Sequence, residues 1–251
     1  MPKFIKLAQA KSTNSYMMAV AATLPGGTVI YTPRQTAGRG QKGNSWESED
    51  GKNLAFSYLL KQPAIEAKQQ FYISEAVSLA VLDFLSRYTP HVAIKWPNDI
   101  YYKDSKMCGM LIENSLDGKN IAHSIIGIGI NINQEKFLSD APNPISLKNV
   151  TGIDYDLEEL LRDVCGRIEQ LCNFAHMQGS DFKQLHERYL THLYRADGRL
   201  HTWQLPDGTR FRAILANVAP DGMLSLQCEH DDEVKTFAFK EVKHVIGSVD
   251  L

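Results

Sequence analysis

The sequence predicts an α+β fold: a mixed sheet flanked by helices over residues 1–195, followed by a small β-barrel over residues 196–251. Strand-like apolar runs and segments of helical spacing occur together in the first part. The segment from about Glu66 to Tyr88 puts Phe71, Ala76, Val77, Ala80, Val81, Phe84 and Leu85 on an inward face, which reads as a long core helix. From about Asp197 the composition shifts to short strands broken by Pro206-Asp207-Gly208 and Pro220-Asp221-Gly222, the turn spacing of a small barrel or sandwich. A length of 251 residues suits one large domain plus a small one.

Along the chain, Ser12-Thr13-Asn14-Ser15 precedes apolar residues at helical spacing and reads as an N-cap. Pro25-Gly26-Gly27 ends that helix. Thr28–Thr32 reads as a strand leading into Gly38-Arg39-Gly40-Gln41-Lys42-Gly43-Asn44-Ser45-Trp46, and Asn53–Leu60 as a mostly buried strand. Val92–Trp96 is a strand that stops at Pro97-Asn98-Asp99 and resumes at Ile100–Tyr102. Met107–Glu113 and Ile121–Asn133 read as two strands joined by a turn at Asp117-Gly118-Lys119-Asn120. Glycine inside a strand, as at Gly127 and Gly129, marks a close approach by a ligand or by backbone. Helices are expected over Leu157–Met177, behind an Asp156/Glu159 capping box, and over about Asp181–Leu193. The strands of the last part are expected at His201–Leu205, Phe211–Val218, Leu224–Glu229 and Lys235–Phe239.

A net charge of −2 gives no electrostatic case for nucleic acid. No run of about 18 apolar residues suits a membrane span, and Met1-Pro2-Lys3-Phe4-Ile5-Lys6 lacks the apolar core of a secretory signal, so cytoplasm is the expected compartment. The four cysteines lack zinc-ribbon or C-x-x-C spacing and read as buried thiols. Cys108, two residues past Lys106, is weighed as a thiol nucleophile, but no histidine is placed to activate it. Gly38-x-Gly40-x-x-Gly43 has dinucleotide-binding spacing, yet a loop follows it where that motif requires a helix. Val92-Ala93-Ile94-Lys95 spells the kinase lysine strand, without H-R-D or D-F-G elsewhere.

Five polar stations remain: Ser12-Thr13-Asn14; Gln35 with the glycine loop; Lys95-Trp96-Pro97-Asn98-Asp99; Lys106-Met107-Cys108-Gly109; and Asn131. Singly, each has an ordinary structural reading as a cap, a turn or a solvated lysine. Together, Gly38-Arg39-Gly40-x-x-Gly43-x-x-Trp46, Lys95-Trp96-Pro97-Asn98-Asp99, Lys106-x-x-Gly109-x-Leu111-x-Glu113 and Gly127-x-Gly129-x-Asn131 resemble the biotin–protein ligases, in order and spacing. The motifs cover residues 10–135. The resemblance extends to the end by architecture, since that family has a catalytic domain of class II aminoacyl-tRNA synthetase type and a C-terminal SH3-like barrel. The eleven residues before Ser12 cannot hold the DNA-binding domain of the family's larger members, so the ligase-only type is implied.

The resemblance implies that biotin is activated by ATP as biotinyl-5′-AMP and passed to a lysine of a biotin carboxyl carrier protein. It implies a biotin site of Ser12, Thr13, Asn14, Gln35, Arg39, Gly40, Gln41, Lys106 and Gly109. The ATP site would use Arg39, Lys42, Trp46, Lys95, Asn98, Lys106 and Asn131. Arg39, Lys106 and Asp99 would be catalytic, with Asp99 also near Mg²⁺. A monomer or homodimer without DNA or membrane partners is expected. The alternatives are lipoate ligase or octanoyltransferase chemistry on a carrier lysine, and a biotin-responsive binding module.

Relatives often carry a second arginine where this chain has Gln41. A neutral amide brings no positive charge to the phosphate, so the adenylate should be held less tightly unless Lys42 substitutes. Adenylate dissociation measured for Gln41→Arg against the parent is expected to slow; an unchanged rate would rule this out.

Overall fold

The computed structural model describes residues 2–41, 44–138, 143–229 and 233–247. Seven strands form one sheet in the order β1 (Lys3–Lys6), β2 (Thr28–Tyr31), β3 (Leu54–Lys61), β7 (Asn120–Ile130), β6 (Ser105–Asp117), β5 (Asp99–Tyr102) and β4 (Val92–Lys95). β1 and β2 run parallel and the other neighbours antiparallel, so the sheet is mixed, as predicted.

The two faces bury different sets. Val29, Phe56, Tyr58, Ile126, Ile128 and Ile130 belong to the main core with α2 (Phe71–Leu85) and α4 (Leu157–Leu171). Their alternates Ile30, Leu59 and Ile125 pack with Met17 of α1 (Thr13–Val20). This is the period-2 alternation of a strand covered on both sides. α2 is buried at twelve of its fifteen residues, so it is enclosed rather than amphipathic. It lies between the sheet, α4 and α5 (Gly179–Thr191). No helix among the described residues is long and apolar enough to cross a membrane.

The second sheet is antiparallel throughout, in the order β11 (Val234–Phe237), β10 (Leu224–Cys228), β9 (Arg210–Val218), β8 (His201–Gln204) and β12 (Lys243–His244). It meets the first part through Trp96, whose Nε1–H donates to Gly222 O at 3.0 Å and whose ring meets Phe239 edge-on at 6.0 Å.

Several elements differ from expectation. The Glu66–Tyr88 helix is α2 alone, preceded by a single 3₁₀ turn. The chain before it is held in sheet-like bonding: Ala67 N–H donates to Lys119 O at 2.8 Å and Ile121 N–H to Ile65 O at 2.9 Å. Ile100–Tyr102 does not resume the Val92–Trp96 strand. The chain reverses through a cis Trp96–Pro97 bond and β5 pairs back on β4, with Lys95 opposite Asp99. α4 stops at Leu171, short of Met177, and Phe174 turns into the core. Three elements went unpredicted: β1, the four-residue edge strand, β12, only two residues long, and α3 (Leu147–Thr151), capped by Ser146 and closed by left-handed Gly152.

One buried polar pair lies far from the loops. Glu75 of α2 is fully buried and lies 2.7 Å from His186 Nδ1 of α5. Burial pushes the Glu75 carboxyl up to about 8 and holds the imidazole below its ordinary value. At neutral pH the pair is therefore a neutral hydrogen bond, with the carboxyl as donor. Such an acid keeps a proton in the native state that the unfolded chain releases near about 4.3, so stability falls as pH rises between those two values. Below about 6.5 the depressed His186 imidazole works in the opposite sense, since the unfolded chain binds a proton there that the native state does not; urea unfolding from about pH 6.5 to 8 should therefore show the decline, and Glu75→Gln should flatten it, while an equal decline in the variant would remove Glu75 as its cause.

Candidate active site

A cleft of about 1130 Å³ opens on the bare face of β6 and β7, walled by α1, the glycine loop, the β4–β5 hairpin and the second sheet. Its floor follows from sequence. Gly109 pairs with Gly129 and Leu111 with Gly127 across the two strands, so three positions on one face lack side chains. A Cβ on Gly127 would sit 2.1 Å from Asn14 Oδ1, and one on Gly129 2.3 Å from Trp46 Cε2. Both contacts exclude any other residue, because such approaches fall inside hard-sphere limits.

At one end, the α1 N-terminus builds a polar cluster. Ser12 caps the helix, its Oγ accepting from Ser15 N–H at 3.4 Å. Thr13 N–H donates to Gln35 Oε1 at 3.0 Å. Ser57 Oγ reaches both Thr13 Oγ1 at 2.8 Å and Asn14 Oδ1 at 2.5 Å. Asn14 Nδ2 donates to Leu111 O at 3.1 Å and Glu113 Oε2 at 3.0 Å, so both its donors are spent within the protein. Asn14 thus offers a ligand at most one lone pair, while Ser12, Thr13 and Gln35 also line the cleft.

Two carboxylates hold two of the expected cations. Arg39 donates to Glu113 Oε1 at 2.8 Å and to Ser15 Oγ at 3.1 Å. Lys106 Nζ lies 2.8 Å from Asp99 Oδ1 and 5.7 Å from the centre of the Trp46 ring. Lys95 lies over the Tyr101 ring at 5.2 Å, and burial pulls its ammonium below the ordinary lysine value. Between these groups Trp46 lies on the glycine floor, and its Nε1 is buried without a partner among the described residues.

Of the predicted site residues, Ser12, Thr13, Asn14, Gln35, Arg39, Gly40, Gln41, Trp46, Lys95, Asn98, Asp99, Lys106, Gly109 and Asn131 all line this one cleft. Lys42 lies outside the described residues. Besides those already described, Asn98 and Asn131 are partly committed. Asn98 Nδ2 donates to Met110 O. Asn131 Nδ2 donates to Ile145 O at 3.2 Å, leaving Oδ1 buried and unpartnered among the described residues. The atom Asn131 offers a ligand is therefore an acceptor.

Ser57, Glu113, Glu47 and Gln134 were not assigned roles from sequence. Ser57 had a legible signal, a small polar side chain inside the otherwise apolar and aromatic run Leu54–Leu60 of β3. Cys108 is fully buried and its thiol is pushed far up by burial, so it is held as a protonated core residue, not a nucleophile. Cys165 and Cys172 are also buried and Cys228 is partly exposed. No group of three or more metal-ligating side chains occurs among the described residues.

The model of the biotin/lipoate A/B protein ligase family matches residues 7–131. The chain is similar to the biotin–[acetyl-CoA-carboxylase] ligase of Paracoccus denitrificans, at 30% identity over 62% of this chain and 67% of that protein. It is 28% identical to the bifunctional ligase/repressor of Bacillus subtilis over 77% of this chain, and spans only 56% of that longer protein. Its fold matches the biotin protein ligase of Aquifex aeolicus in complex with biotin and ATP, with TM-score 0.80 and 25% identity over 98% of this chain and 100% of that one. Motif order, glycine floor and these likenesses agree: the chain belongs to the biotin/lipoate A/B protein ligase family.

Proposed function

We infer that this chain is an ATP-dependent biotin–protein ligase. The observation that carries the reading is the cleft itself: a hydrogen-bonded polar cluster at one end, cations in the middle and a tryptophan on a bare glycine floor. That sequence of chemistries suits a ligand with a polar ureido ring, a carboxylate tail and an adjoining nucleotide. Residues 1–195 form the catalytic unit and residues 196–251 a C-terminal barrel whose Trp203, Lys243 and His244 also line the cleft.

In the first step a carboxylate oxygen of biotin attacks the α-phosphorus of ATP, and the bond to the pyrophosphate oxygen breaks. Two anions must meet, and like charges about 4 Å apart repel by roughly 4 kcal/mol at an effective dielectric of 20. Arg39 and Lys106 offset that repulsion, each exchanging a protein carboxylate for the ligand's. Ser12, Thr13 and Gln35, which line the cleft, present hydroxyl and amide groups to the ureido ring, orienting the tail toward Lys106. Trp46 offers its face to adenine and Asn131 Oδ1 accepts from the exocyclic amine. Lys95 and Asn98 face the ribose and phosphates. Mg²⁺ on the phosphates needs no more than one or two protein carboxylates, which Asp99 fits; when bound it neutralises charge on the departing pyrophosphate.

In the second step the acceptor lysine, on a biotin carboxyl carrier protein, attacks the acyl carbon and AMP leaves. Deprotonating that lysine costs about 4.6 kcal/mol at pH 7 from an ordinary value. Asp99, released from Lys106 by the ligand, is the carboxylate we assign to draw that proton.

Biotin-dependent exchange of pyrophosphate into ATP tests this reading, with lipoate and octanoate as controls. Exchange with biotin alone is expected; exchange driven by either fatty acid, or none at all, would overturn it. Lys106→Ala should lower the adenylation rate by about 10²–10³-fold while the unfolding midpoint stays near the parent's. An unchanged rate would remove Lys106 from the first step.

A further inference from the structure

Gln134 follows β7 and is almost fully buried, yet all four of its amide hydrogen-bonding positions are used. Its Oε1 accepts from Glu49 N–H at 3.0 Å and from Asn53 Nδ2 at 2.5 Å. Its Nε2 donates to Glu47 Oε1 at 3.1 Å and to Lys136 O at 2.8 Å. The same Glu47 oxygen accepts from Leu138 N–H at 2.9 Å. Asn53 completes the hub, its Oδ1 accepting from Ile132 N–H at 2.9 Å. The chain that follows Trp46 is thereby fastened to the chain that follows Asn131. A saturated amide has nothing left to offer a ligand. What the hub fixes is the distance between Trp46, next to Glu47, and Asn131, three residues before Gln134.

We propose that Gln134 and the Glu47 carboxylate are positioning residues for the nucleotide half of the cleft. They hold the Trp46 indole flat on Gly109 and Gly129 at a set separation from Asn131, so that a purine enters a slot already formed and little ordering remains to be done on binding. The inference rests on the ligase reading for the identity of the nucleotide, and on the hydrogen-bonded hub for the positioning. In this hub a single Glu47 oxygen accepts two hydrogen bonds. Removing that oxygen leaves the Leu138 N–H and a Gln134 donor without it, whereas a glutamine keeps an acceptor in place.

The test compares full-length Glu47→Ala and Glu47→Gln with the parent. Three quantities are read: KM for ATP and for biotin in pyrophosphate exchange, the emission of Trp46, and the urea unfolding midpoint. Trp46 emission is taken as the difference from the same variant carrying Trp46→Phe. Glu47→Ala is expected to raise the KM for ATP about tenfold, to change the KM for biotin far less, and to shift Trp46 emission to the red. Glu47→Gln is expected to restore both toward the parent. Unchanged ATP and emission values in Glu47→Ala, equal rises for both substrates, a fall in unfolding midpoint alone, or a Glu47→Gln that behaves like Glu47→Ala would each overturn the proposal. If the parent shows no biotin-dependent exchange, the ligase reading fails instead, and the emission of the two variants still decides whether the hub places Trp46.

Discussion

The site exists because the middle of the sheet is bare on one face. β7 alternates Ile126, Ile128 and Ile130 into the core with Gly127 and Gly129 upward. Gly109 of β6 lies directly opposite Gly129. Glycine inside a strand costs roughly 0.5–1 kcal/mol relative to alanine, and the isoleucines on the opposite face offset that by burial under α2. The same strand thus anchors the core and leaves a trench. Asn14 enters the trench from the first turn of α1 and Trp46 from the glycine loop, and neither could do so over a side chain.

Two of the cleft's cations are paired before any ligand arrives. Arg39 rests on Glu113 and Lys106 on Asp99, both half-shielded from water. Taking a cation out of water is costly without a partner, and a carboxylate close by offsets that cost. An incoming carboxylate or phosphate then replaces one anion by another, so the cation is desolvated only once. Glu113 has a second duty, since it also accepts from Asn14 Nδ2. A change at Arg39 is therefore felt at the polar cluster through one shared carboxylate.

Much of this was legible in the sequence because it is written in local signals. The N-cap at Ser12, the glycines at Gly127 and Gly129 and the turn residues of the second sheet each have a backbone cause. The lysine and asparagine stations were readable only jointly, since each alone is an ordinary surface residue or turn. The β4–β5 hairpin was misread as one interrupted strand, because sequence does not say whether a turn at Pro97 continues or reverses the chain. Ser57, Glu113, Glu47 and Gln134 escaped assignment for another reason. Their roles lie in partners 43 to 99 residues away or in loops with no periodicity, as with the Ser57–Asn14, Glu47–Gln134 and Asn14–Glu113 contacts. Pairing of that kind is decided by the fold, not by neighbours.

The second sheet is part of the site's construction. β4, which ends in Lys95, is the outer strand of the large sheet, and an outer strand is held on one side only. Here its free side is closed by the connecting chain: Ile94 N–H donates to His192 O and Tyr194 N–H to Ile94 O, both at 2.8 Å. Arg195 continues this link by donating to Val245 O at 3.2 Å, one residue past β12 of the second sheet. On the other side of the hairpin, Trp96 is pinned to Gly222 and Phe239. The tryptophan of the Lys95–Asp99 motif is thus a fastener between the two parts, not a ring awaiting a ligand. Lys95, Asn98 and Asp99 owe their positions to contacts on both sides of that hairpin. The small sheet therefore sets where the cationic end of the cleft lies, even where none of its own side chains touches a ligand.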